Sequence, residues 1–158
     1  MRAQLDTANV IKANAQFWEQ MLATTLKPMS SAEQFCAGAG HLRGSVALAG
    51  AWTGRIEVRM TGALAYQATA AMLMQALDTV TAADVLDATR EMANMIAGTL
   101  KSSLPRPCSM SIPESAVEPD GFAAPAPAED WLMVAFRHEA GELMVGVWEL
   151  QCTEGAAA

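Results

Sequence analysis

Charge is scarce in this chain, and basic charge is scarcer still. Only 17% of the 158 residues are Asp, Glu, Lys or Arg, and ten basic residues face 17 acidic ones, for a formal net charge of −7. An overall field of that sign repels the phosphate backbone of a nucleic acid and the surface of an anionic membrane. The basic residues form no run, being scattered from Arg2 to Arg137. Cysteine is equally sparse: Cys36, Cys108 and Cys152 are widely spaced, with none of the CxxC pairs of zinc or redox sites, and are expected to be reduced and structural. His41 and His138 are the only histidines, and neither has an acid and a nucleophile near it in sequence. Ser102 and Ser103 lack the glycine elbow of a serine hydrolase.

Long apolar runs are also missing. Residues 60–77 contain no charge and reach the length of a membrane span, but Thr61, Gln67, Thr69 and Gln75 interrupt them and many of the apolar positions are only Ala. A buried helix of a soluble domain fits better. In residues 1–22 the charges of Arg2, Asp6, Lys12 and Glu19 break the continuous apolar stretch that a signal peptide needs, so a cytoplasmic protein is expected.

What is abundant is hydrophobic side chain, at 52% of the chain, enough for one domain over residues 1–158 with a substantial core. Apolar residues at helical spacing (Val10, Ile11, Phe17, Trp18, Met21, Leu22) predict a helix over 8–26, before Pro28. From residue 34 to 60 the texture becomes alternating and Gly-punctuated, as in paired strands. Gly38, Gly40 and Gly44 precede strand-like sequence rather than a helix, so they are read as turn glycines and not as a phosphate-binding loop. An alanine-rich helix is expected over 62–77. Thr81 with Asp84 forms a near capping box that opens a third helix running to Leu104, before Pro105 and Pro107.

A short strand is expected at 109–112. The Pro/Ala-rich stretch 114–129 reads as a surface loop, 131–137 and 143–150 as a hairpin, and 153–158 as a disordered tail. The four tryptophans, Trp18, Trp52, Trp131 and Trp148, are assigned mostly to the core, the last two to opposite strands of that hairpin. The expected fold class is α/β (α+β), a largely antiparallel sheet with helices packed on one side.

The third helix carries two faces. Leu86, Ala93, Ile96, Ala97, Leu100 and Leu104 make an apolar stripe. Asp87, Glu91, Asn94, Gly98 and Lys101 follow one another at steps of three and four on the other side, which makes the Glu91 carboxylate and the Asn94 amide neighbours. Gly98 is a poor helix former whose missing side chain would let another backbone approach, and Met95 beside the stripe offers an apolar contact. Such a stripe alone is most simply a solvated face.

The run Asp87-Ala88-Thr89-Arg90-Glu91-Met92-Ala93-Asn94, followed by Met95-Ile96-Ala97-Gly98 and Lys101, resembles the signature of the CheX/CheC chemotaxis phosphatases: an Asp or Ser, three residues, Glu, two residues, Asn. The order of elements is similar as well. A single copy of the motif is closer to CheX than to the two-site CheC type. The proline that often follows the motif helix in that family has no counterpart at the usual place, since Pro113 falls early and Pro119 late.

The resemblance implies a phosphatase for the aspartyl-phosphate of a CheY-type response regulator. In that role Glu91 and Asn94 would be catalytic, Asn94 orienting the attacking water and Glu91 pairing with a lysine of the receiver domain, while Asp87, Met95, Gly98 and Lys101 would bind the partner. It also implies no metal or cofactor of the chain's own, the Mg2+ belonging to the receiver, and a homodimer formed through sheet edges, with the terminal hairpin offering one. The competing readings are a non-catalytic module that docks a receiver domain or a flagellar-switch-like assembly, and a dimer that buries the polar stripe between subunits.

Overall fold

The computed structural model describes residues 5–126 and 128–150. Helix α1 (Thr7–Leu22) opens on Asp6, whose carboxylate accepts from the Asn9 amide while the Asn9 side chain accepts from the Asp6 amide. After the two-residue strand β1 (Lys27–Pro28) and a 3-10 turn (Ala32–Gln34) come β2 (Cys36–Ala37) and the hairpin of β3 (Leu42–Gly50) and β4 (Gly54–Met60). Helix α2 (Gly62–Leu73) and a second 3-10 turn (Leu77–Thr79) lead to α3 (Ala82–Lys101). Five strands follow among the described residues: β5 (Cys108–Met110), β6 (Glu114–Val117), β7 (Phe122–Ala123), β8 (Trp131–His138) and β9 (Gly141–Glu149).

The main sheet is antiparallel throughout, in the order β1-β8-β9-β4-β3-β5, with β6 also pairing with β3. Alternation along each strand sends one set of side chains under the helices: Leu42, Val46 and Leu48 of β3, Ile56, Val58 and Met60 of β4, and Leu143, Val145 and Val147 of β9. There they join Val10, Phe17 and Trp18 of α1, Leu64 and Ala68 of α2, and Met92, Ile96 and Leu100 of α3. The opposite face is divided. Its β8–β9 half is apolar, with Ala135 and Met144 covered by Phe35 and Phe122, whereas its β3–β4 half carries Arg43, Ser45, Arg55, Glu57 and Arg59. The fold is thus α+β with the helices on one side, as expected.

Several boundaries differ from the sequence reading. The first two helices stop at Leu22 and Leu73 rather than at 26 and 77, each ended by a residue in the left-handed region, Ala23 (φ 50) and Met74 (φ 53). Residues 73–79 are all exposed, so no packing extends α2 beyond that point. The stretch 114–129, expected to be a surface loop, contains β6 and β7, which pair with β3 and β2. These pairings are long-range and bracketed by prolines, which hides them from local pattern. Gly44 is a strand residue of β3 and not a turn glycine. Trp131 and Trp148 do face each other across the terminal hairpin, ring centroids 6.1 Å apart. The 153–158 tail lies outside the described residues. Among those residues no helix is long and apolar enough to cross a membrane.

Candidate functional site

The exposed side of α3 depends on how firmly its underside is held. The helix opens on the full capping box, with the Asp84 amide donating to Thr81 Oγ1 at 3.1 Å and the Thr81 amide to Asp84 Oδ2 at 3.0 Å. Beneath it, Gly44 allows β3 to come so close that a Cβ there would meet the Thr89 carbonyl oxygen at 2.7 Å. Ala93, Ile96 and Ala97 are fully buried, and Ser115 of β6 donates from Oγ to the Leu86 carbonyl at 2.8 Å. Sheet, helices and β6 together fix the rotation of α3 about its own axis.

That rotation leaves Asp87, Glu91 and Gly98 exposed, with Asn94 and Lys101 half-buried on the same stripe. Among the described residues no side chain bonds the Glu91 carboxylate or the Asn94 amide, so both are available to a partner. Asp87 is engaged: its carboxylate pairs with Arg90 one turn on. Arg90 was not singled out from sequence, although opposite charges three apart on a helix are a readable signal. Met95 is half-buried and packs against the helix-side core, where its contacts are internal. Nothing lies within 4 Å of the place a Gly98 Cβ would occupy.

A second polar cluster occupies the far face of the sheet. His41 is buried, with Nδ1 2.9 Å from the Gly38 carbonyl and Nε2 2.9 Å from Arg59 Nη1. Arg59 also grips the buried carboxylate of Glu57 and lies over the Phe122 ring. The guanidinium of Arg43, hydrogen-bonded to Glu118, holds that carboxyl below its ordinary value of 4.5. These groups satisfy one another and pin the turn before β3 to the segment between β6 and β7. Among the described residues no three His, Cys, Asp or Glu side chains are grouped to hold a metal ion.

Fold and exposed stripe together define a class. The backbone is similar to that of the chemotaxis protein CheX from Vibrio vulnificus (TM-score 0.74, 17% identity, 95% of this chain and 100% of that one). It is likewise similar to a CheC-like superfamily protein from Shewanella sp. PV-4 (TM-score 0.75, 15% identity, 96% and 100%). A complex of CheX with CheY, BeF3 and Mg2+ from Borrelia burgdorferi also matches (TM-score 0.72, 14% identity, 94% and 100%). No curated protein matches the chain. The family model for "Chemotaxis phosphatase CheX" covers residues 42–136, more than half of the sequence, and the chain belongs to that family.

Proposed function

We propose that this protein accelerates hydrolysis of the aspartyl-phosphate on a CheY-type receiver domain. One observation carries the reading: Glu91 and Asn94 stand one helical turn apart on the exposed stripe of a rigidly seated helix, neither side chain bonded among the described residues. The CheX–CheY complex from Borrelia burgdorferi, a relative in fold, supports a receiver as the partner.

The receiver's own Mg2+ and lysine already neutralise charge developing on the phosphoryl group, so what the partner lacks is a water in line with phosphorus. A carboxamide both donates and accepts without changing its charge, which suits Asn94 to orienting that water. Glu91, an exposed anion, pairs with the receiver lysine and sets the register of docking. Holding the water in place removes orientational entropy from the barrier, so neither a general base nor a cofactor of the chain's own is needed.

The protein acts in the cytoplasm as a homodimer formed through sheet edges. The outer edge of β8 is paired with β1 at Phe136 and Arg137 and accepts from the Met29 amide at Ala135, and at the opposite edge of the sheet β6 pairs, among the described residues, with β3 alone, beside exposed Val117. The reading is tested by loading CheY-type receivers with a small phosphodonor and following phosphate release with and without the protein. A receiver that binds but loses phosphate no faster would select the non-catalytic docking module instead.

A further inference from the structure

Beyond Asn94 the exposed stripe of α3 changes sign. Its first half carries Asp84, Glu91 and the paired Asp87 and Arg90; its end carries Lys101, and Arg106 follows in the turn to β5. Between these two cations lies an open cavity of about 490 Å3, lined by Gly98, Lys101, Ser102, Arg106, Pro107 and Cys108. The hydroxyl of Ser102 donates to the Thr99 carbonyl and the Cys108 thiol to the Trp52 carbonyl. The donors left to face the cavity are therefore the Lys101 ammonium and the Arg106 guanidinium. Arg43, Arg59, Arg90 and Arg137 each hold a carboxylate and Arg55 lies over the Trp148 ring; among the described residues no carboxylate lies within 4.0 Å of Lys101 or Arg106, as is also true of Lys12 and Lys27.

Gly98 adds an independent indication. A glycine in mid-helix is unfavourable relative to alanine, and among the described residues nothing beyond its own helical turn lies within 4 Å of where its Cβ would be. The fold does not require it, so the room it leaves serves contact from outside.

We propose that this cavity receives a carboxylate side chain from the rim of the receiver domain and thereby fixes which way round α3 lies on its partner. The proposal rests on the functional reading above. A planar guanidinium fork beside an ammonium matches a carboxylate in shape and sign. The acid the cavity takes is one outside the Mg2+ site, since carboxylates bound to that ion are already neutralised. Lys101 is seven residues beyond Asn94, which at a rise of 1.5 Å per residue places the matching acid about 10 Å from the phosphoryl site. Reversed docking would set this acid near Asp84 and near an Asp87 already paired with Arg90, with no unpaired cation to meet it, so the stripe favours one orientation.

The experiment measures binding of the full chain to receivers carrying beryllofluoride and Mg2+, at low and moderate salt. Arg106→Glu and Lys101→Glu are compared with wild type and with Asn94→Ala. The charge reversals are expected to weaken binding at least tenfold and to flatten its salt dependence, Arg106→Glu leaving the thermal midpoint unchanged and Lys101→Glu, at the C-terminal end of α3, lowering it slightly. Reversing one acidic residue on the receiver rim should restore binding to Arg106→Glu. Wild-type affinity in both reversal variants, alongside phosphate release that Asn94→Ala abolishes, would overturn the docking proposal and leave the phosphatase reading standing. A wild-type protein that neither binds nor dephosphorylates any receiver would overturn both. Inorganic phosphate that protects Lys101 from acylation, while receiver affinity ignores Arg106→Glu, would assign the cavity to a free anion and overturn it too.

Discussion

Gly44 of β3 lies directly beneath Ala93 of α3: a Cβ on the glycine would come within 2.9 Å of the Ala93 methyl and 2.7 Å of the Thr89 carbonyl oxygen. The residue next to Ala93 is Asn94, so whatever moves the underside of the helix moves the amide above it. Gly44→Ala must lift α3 or bend β3, and overpacking of this kind costs about 1–3 kcal/mol. A lowered urea midpoint together with reduced phosphate release is expected. A variant of wild-type stability and activity would show that the contact does not hold the motif in place.

Asn94→Ala removes the group that orients water but leaves the helix surface otherwise intact. It is expected to bind phosphorylated receiver nearly as wild type does while losing most of the acceleration. Glu91→Ala should weaken binding as well. Single-turnover phosphate release combined with titration of receiver binding separates the two. Equal, undiminished release from both variants would remove the mechanism.

Gly98→Ala should make the protein more stable, since alanine replaces glycine in mid-helix with open space around its methyl, a gain of about 1 kcal/mol. The same methyl projects into the surface offered to the partner, so receiver affinity should fall. Thermal unfolding and a binding titration on one sample test both halves, and a loss of stability would mean that the helix needs the glycine for itself.

Acid should loosen the far face of the sheet. Because Arg43 lowers the carboxyl of Glu118 in the folded state, the folded protein binds fewer protons there than the unfolded chain does. The contribution of this group is therefore fully present above the ordinary carboxylate range and is lost as pH falls through the lowered value. Glu118→Gln should cost about 1 kcal/mol near neutrality, the scale of a charge-assisted hydrogen bond partly open to solvent, and the gap from wild type should close in acid. Denaturant midpoints measured across that range check the sign.

The site was more legible in the sequence than the sheet was. The capping box of Thr81 and Asp84, the apolar stripe through Ile96 and Leu100, and the spacing of Asp87, Glu91 and Asn94 are all local, and a helix preserves local spacing. The terminal hairpin was readable for the same reason. Gly44 was assigned to a turn because the requirement it meets comes from Thr89 and Ala93, more than forty residues away. The strands inside 114–129 escaped because short pairings owe their existence to distant partners, the free flank of β3 for β6 and β2 for β7, and not to their own alternation. Arg106 escaped because its neighbour in the cavity, Gly98, lies across a helix end.

The terminal strand β9 is wedged between β8 and β4, bonded along nearly its whole length on both sides. On a ribosome, β4 would emerge with one flank bare until β9, about eighty residues further on, had been translated. The nascent protein would meanwhile display an open, largely apolar ladder beneath helices already formed. The sheet can therefore close only once β9 has been made, and until then the flank of β4 is open to wrong pairing.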